Sequence, residues 1–329
     1  MSTTPPPSDS IAGALLGTAV GDALGMPVEG LSHANVRTYY KGIKEYRDDD
    51  QRGDLGAGQW TDDTQMTFAL VRALTDHPAS PDAWPAAVAD EYVALRPEAR
   101  RWGETTTTAV DRLADGTPPA EAGVPDRPTD GAAMRAAPLG VWWAARDLDR
   151  EAAFEAIRPV LAVTHRHPAA LAAGWGQAVA VHTLLGWTPD AFDRAAFWER
   201  LVDATAWAEG RLDGDDRVSG RLEALADHLD AFPLNLGDAC DGVGIRADEA
   251  WPFACAMVAR RAHLLENTLL SGINVGGDAD TTGAMMGAML GALHGWSAFP
   301  DEWGEGLEAV GRLGEAAQAF AGAVRPRPS

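Results

Sequence analysis

Cysteine is almost absent from this 329-residue chain: Cys240 and Cys255 are the only two, and no C-x-x-C spacing occurs. That excludes a disulfide framework or a cysteine zinc site and fits a reducing, cytoplasmic setting. Positive charge is also scarce, with 27 Lys and Arg against 48 Asp and Glu and a formal charge of -21. Non-specific binding to a nucleic-acid backbone or an anionic bilayer is therefore disfavoured. The start, "MSTTPPPSDS", lacks the basic residues and apolar run of a signal peptide. The most apolar window, residues 276–295, is interrupted by Asp278 and Asp280. About a dozen apolar residues follow them, too few to span a bilayer.

Alternating strand patterns are scarce as well, and no fixed-period repeat occurs, so a β architecture and a solenoid are both disfavoured. What remains is 46% hydrophobic and 23% charged residues, the composition of a globular protein. Alanine-rich segments with helical spacing predict an all-α fold. Helices are expected at about 10–25, 62–76, 81–95, 103–115, 134–146, 150–163, 168–186, 193–209, 217–229, 248–266 and 280–295. Breakers fall at 76–81, 116–131, 186–190 and 232–244. No breaker is long enough for an interdomain linker, so one compact multi-helix domain is expected over 10–322. A disordered arm is expected at 1–9 and a tail at 323–329.

Two of the expected helices carry glycine every fourth residue: Gly13, Gly17, Gly21 and Gly25 in "GALLGTAVGDALG", and Gly283, Gly287, Gly291 and Gly295 in "GGDADTTGAMMGAMLGALHG". Residues four apart share a helix face, and each interior glycine costs about 1 kcal/mol relative to alanine. Close helix crossing offsets such a cost by letting backbones approach. It would also bring together what lies at the helix ends: Asp22 and Glu29 after the first row, Asp278, Asp280 and Thr281 before the second. A third cluster, Thr61, Asp62, Asp63 and Thr64, opens the segment "WTDDTQMTFAL". Each cluster alone reads as a helix N-cap, but each carries more oxygen than a cap requires. Surplus carboxylates held together repel one another and call for protons or a cation. Carboxylate, hydroxyl and water oxygens suit two Mg2+ or Mn2+ ions, and the absence of histidine and cysteine from the clusters makes zinc a poor fit.

With these pieces in order, "GALLGTAVGDALGMPVE", "WTDDTQM", "DGAAMRAAPLG", "THRHP" and "NVGGDADTTGAMMGAMLGA", the chain resembles the ADP-ribosylglycohydrolase family. The resemblance implies a binuclear metal cleft. Thr61, Asp62 and Asp63 match one half of the metal site, and Asp278, Asp280 and Thr281 match the other. Glu29 matches the acidic residue of a loop near the metals and is the first candidate for proton transfer, with Asp62 or Asp63 as alternatives. His165, Trp102 with Gly103, and the Asp130, Gly131, Ala132 and Met134 segment match positions that face the substrate. Structural readings stand beside these: Asp22 as a capping or supporting carboxylate, Glu29 as a solvated loop residue, His165 bonded to backbone, His167 structural, and Trp102 packed among the chain's 12 tryptophans.

The implied chemistry is metal-dependent hydrolysis of the glycosidic bond between ADP-ribose and a protein side chain or small conjugate. Relatives commonly have Asn where this chain has Asp130, and an ionised carboxyl beside a diphosphate would oppose its binding. Either Asp130 points away, or the substrate carries less phosphate than ADP-ribose. Arg135 either compensates or forms an internal ion pair. A glycohydrolase of another ribosyl or nucleoside conjugate is therefore the second expectation, and a catalytically silent ADP-ribose-binding protein the third.

Overall fold

The computed structural model describes residues 6–215 and 217–325. Its most extensive helix contact joins Ser8–Gly25 (α1) to Ala279–His294 (α12). The glycine rows make that contact. A Cβ on Gly13 would lie 2.3 Å from the Gly291 carbonyl oxygen, on Gly17 2.3 Å from that of Gly287, and on Gly21 1.9 Å from that of Gly283. No side chain fits at such separations, so the seam requires glycine on both helices. The pairing order is antiparallel, and it sets the Asp278 end of α12 beside the Asp22 end of α1. Gly295 departs from the expected row: it terminates α12 with φ +83° and lies against Asp9.

Around this pair lie Asp62–Asp76 (α2), Trp84–Leu95 (α3), Glu104–Ala114 (α4), Ala137–Ala144 (α5), Arg150–Ala162 (α6) and Pro168–Leu184 (α7). Arg194–Arg211 (α8), Arg217–Leu225 (α9), Ala247–Arg261 (α10), Leu265–Ile273 (α11) and Val310–Val324 (α13) complete the helices of eight residues or more. Among the described residues there are only isolated β-bridges, no strands. The fold is all-α, as expected, with one continuous hydrophobic core.

Several boundaries differ from the sequence expectation. Ser8 and Asp9 belong to α1 rather than to an arm, and Asp9 accepts hydrogen bonds from Ser297 N and Oγ. The segment 248–266 is two helices, α10 and α11, and the expected breaker 232–244 contains the helix Pro233–Ala239. At the far end, α13 reaches Val324 inside the expected tail, and Arg325 donates to Ser8 Oγ. Residues 1–5 and 326–329 of the expected arm and tail lie outside the described residues. Among the described residues, one stretch is long and apolar enough to cross a membrane, and it is Ser8–Val28 rather than the expected most apolar window 276–295; 94% of its 18-residue apolar window is buried inside the fold, against α12 and its neighbours.

Candidate metal centre and substrate cleft

Three loops converge at the Asp278 end of the seam. Gly276 and Gly277 adopt φ +84° and +73°, and a Cβ on either would lie 2.1 Å from a backbone oxygen, of Leu31 and Val243 respectively. This close approach permits the bonds Gly30 N to Gly277 O, Gly277 N to Leu31 O, and Asp278 N to Val243 O. The Glu29 loop and the Asp278 loop are thereby tied together. On the other side, Asp130 N donates to Ile245 O and Ala247 N to Pro128 O, docking the Asp130 loop beside them.

Asp22 is fully buried and caps α2 from another helix. Its oxygens accept from Thr61 N (3.0 Å), Thr61 Oγ1 (2.9 Å), Thr64 N (3.0 Å) and Thr64 Oγ1 (2.6 Å). Thr61 makes no side-chain cap of its own. The N-cap role expected of the Thr61 cluster thus falls to Asp22, and this frees Asp62 and Asp63 from capping. Thr281 Oγ1 then reaches across to donate to Asp63 Oδ2 at 3.3 Å, as Thr61 Oγ1 also does. The two aspartate clusters meet, as the sequence reading anticipated.

One carboxylate oxygen from each of Asp22, Asp63 and Asp280 lies within 4.8 Å of the others, and all three residues are buried. Burial and mutual repulsion raise their proton affinity. Asp22 is pushed up to about 6 by burial, in spite of the hydrogen bonds it accepts. Asp63 is raised well above the usual carboxylate range by burial, then by Asp22 and Asp280. Asp62, Asp278 and Asp280 are raised in the same direction, again with burial first; the next cause is Asp22 for Asp62, Asp130 for Asp278 and Glu29 for Asp280. Meanwhile Asp63 Oδ1 is buried without any hydrogen-bond partner. Crowded carboxylates with an orphaned oxygen fit a hard divalent cation, which would neutralise them and occupy that oxygen.

Above the cluster is a cleft of about 190 Å³. Asp62, Asp278, Asp280, Thr281 and Glu29 line its acidic end, and Gly103, Asp130, Gly131, Met134 and His165 line the rest. Thr61 and Asp63 lie beneath this surface. Ala132 is fully buried outside the lining. Trp102 is outside it too, packed against the core with its indole N–H donating to Gln65 Oε1 at 3.0 Å. His167 is the N-cap of α7, accepting from Ala169 N, a structural role.

Glu29 is not a free carboxylate. Arg52 donates to both its oxygens, and Arg101 Nη1 donates to Oε2 at 3.2 Å. Arg101, 8% exposed, also binds Asp49 and Asp54. The sequence reading passed over Arg52 and Arg101, because nothing local marks an arginine whose partner lies 23 or 72 positions away. Asp130 does not point away: it is 5% exposed, lines the cleft, lies beside Asp278 and leaves Oδ2 unpartnered. Burial raises its proton affinity well above the usual range, and Asp63 and Asp280 add to this. Arg135 neither compensates Asp130 nor forms an ion pair with a described residue; it donates to Gly131 O, Leu161 O and Thr164 Oγ1.

Known proteins resemble this chain over most of its length. The family model described as ADP-ribosylglycohydrolase matches residues 3–328. An uncharacterized protein of Archaeoglobus fulgidus is 31% identical over 297 residues, covering 89% of this chain and 90% of its own. The ADP-ribosyl-[dinitrogen reductase] glycohydrolase of Rhodospirillum rubrum is 28% identical, covering 92% and 91%. A solved structure titled "ADP-ribosylglycohydrolase-related protein complex" superposes with a TM-score of 0.75 at 25% identity, over 96% of this chain and 98% of that one. With its glycine seam, converging aspartates and near full-length match, this chain belongs to the ADP-ribosylglycohydrolase family.

Proposed function

We propose that the protein hydrolyses the glycosidic bond joining ADP-ribose to a protein side chain or a small conjugate, with two Mg2+ or Mn2+ ions held by Thr61, Asp62, Asp63, Asp278, Asp280 and Thr281. The observation that carries this reading is the meeting of both aspartate clusters under a cleft, with Asp63 Oδ1 buried and unpartnered. Family membership supports hydrolysis of an ADP-ribose conjugate. When bound, such ions supply charge neutralisation and Lewis acidity toward the ribose hydroxyls and water.

The chain's own residues do the rest. Asp22 holds the start of α2 and so sets Asp62 at the cleft and Asp63 beneath it. Glycoside cleavage passes through an oxocarbenium-like centre, which the dense carboxylate floor stabilises electrostatically. Glu29, at the cleft edge, manages the proton, and Asp62 is the alternative. Arg52 and Arg101 hold the Glu29 carboxylate in place until substrate arrives. The test is ADP-ribose release from arginine-, serine- and O-acetyl-linked substrates in Mg2+ or Mn2+. Release is expected from at least one, abolished by EDTA and in Asp280→Ala; inactivity across the whole set would refute the reading.

A second reading is favoured by Asp130, which lines the cleft and keeps one buried oxygen unpartnered: a ribosyl or nucleoside conjugate with less phosphate. Both arginines that line the cleft are already committed, Arg101 to Glu29, Asp49 and Asp54, and Arg127 to Glu104. Calorimetry decides between the two. Tight ADP-ribose binding favours the first, and tighter binding of ribose or a nucleoside favours the second.

A further inference from the structure

Arg135 is a fully buried cation that makes no ion pair with a described residue. Burying a charge among neutral partners is costly, so its hydrogen bonds indicate what that cost supports. Its guanidinium donates to Gly131 O, to Leu161 O at 3.4 Å and to Thr164 Oγ1 at 2.5 Å. Thr164, also fully buried, is 2.8 Å from His165 Nδ1.

The direction of these bonds follows from the donor inventory. A guanidinium has no acceptor, so Thr164 Oγ1 must accept from Arg135. Its second lone pair could also accept, but the described bonds give the hydroxyl no other acceptor for its one proton, which therefore goes to His165 Nδ1. A neutral imidazole that accepts at Nδ1 carries its proton on Nε2. The imidazole lies over Gly131, where a Cβ would sit 2.7 Å from Nε2, and it lines the cleft. Burial, and then the Arg135 charge, hold His165 neutral by lowering its proton affinity well below the usual range.

We infer that Arg135 and Thr164 are positioning residues that fix His165 as an Nε2–H donor at the cleft wall. Arg135 also holds the Gly131 carbonyl, so it sets ring and loop together. The substrate group received there is a hydrogen-bond acceptor, an oxygen of the ADP-ribose unit. In identifying that group, the inference rests on the function proposed above.

Two measurements test it: 15N NMR of the histidine side chains in the native protein, and ADP-ribose calorimetry in Mg2+ with Thr164→Val and Thr164→Ser. The native His165 is expected as the Nε2–H tautomer. Thr164→Val is expected to lose that single tautomer and about tenfold in affinity, the scale of one hydrogen bond. Thr164→Ser restores both. A native Nδ1–H tautomer, or a valine variant with unchanged tautomer and affinity, would overturn the inference. A native Nε2–H tautomer without any ADP-ribose binding would support the relay while refuting the proposed function.

Discussion

The floor and the far wall of the cleft are built by different means. The floor is positioned by backbone: α1 and α12 touch through glycines, and their ends deliver Asp22 and Asp280 to one place. The wall is positioned by side chains, through Arg135, Thr164 and His165, with the Tyr92 ring 5.5 Å from the Arg135 guanidinium. A backbone seam tolerates no added atom, whereas a hydrogen-bond relay tolerates conservative exchange. Damage to the floor should therefore remove stability and metal binding together, and damage to the wall should alter recognition or pH response alone.

The largest effect is expected from the seam. Gly287→Ala sets a Cβ 2.0 Å from the Gly17 carbonyl oxygen, which only backbone separation relieves. A cost above about 3 kcal/mol is expected, with loss of divalent-cation binding in whatever fraction still folds. Thermal unfolding with and without Mg2+ reads both. A variant that lost stability yet bound metal normally would separate the seam from the site.

Next comes Asp22→Ala, which leaves the backbone N–H groups of Thr61 and Thr64 without their acceptor. It should cost about 2 kcal/mol in Mg2+. After EDTA the cost should shrink, because removing one crowded carboxylate also relieves repulsion. Equal costs in both conditions would show that Asp22 is a cap and nothing more.

In the last turn of α7, at the end away from its His167 cap, His182 stacks on Trp143 at 4.0 Å, and burial followed by the Arg200 charge pushes its pKa down to about 4. The native state resists the proton that the unfolded chain takes up near pH 6.5. Stability from this group is complete above that pH and is lost as pH falls toward 4, by roughly 2–3 kcal/mol. Compared with His182→Gln, the native protein should lose more stability over that window in chemical unfolding. Parallel curves would contradict the assignment.

How much of this was legible in the sequence follows the same division. Glycine every fourth residue and aspartates at helix starts are local patterns, so the seam and the convergence of Asp63 with Thr281 could be anticipated. The Asp22 cap joins residues 39 apart and the Arg135–Thr164 bond residues 29 apart, separations with no periodic signal. Helix α13 was missed for another reason. Gly311, Gly314 and Gly322 lower its helix propensity and face open space, while Leu313, Ala317, Phe320 and Val324 form a buried helical stripe. The sequence left Trp102 between cleft and core, because a tryptophan's hydrogen-bond partner, here Gln65, cannot be read from its neighbours.

The most direct test of the account is a calorimetric titration of chelator-treated protein with Mn2+, comparing the native chain with Asp63→Asn. The native chain should bind Mn2+ and the variant, with its buried unpartnered oxygen replaced by an amide, should bind at least tenfold more weakly while remaining folded. No Mn2+ binding by the native chain, or equal binding by both, would contradict the metal centre.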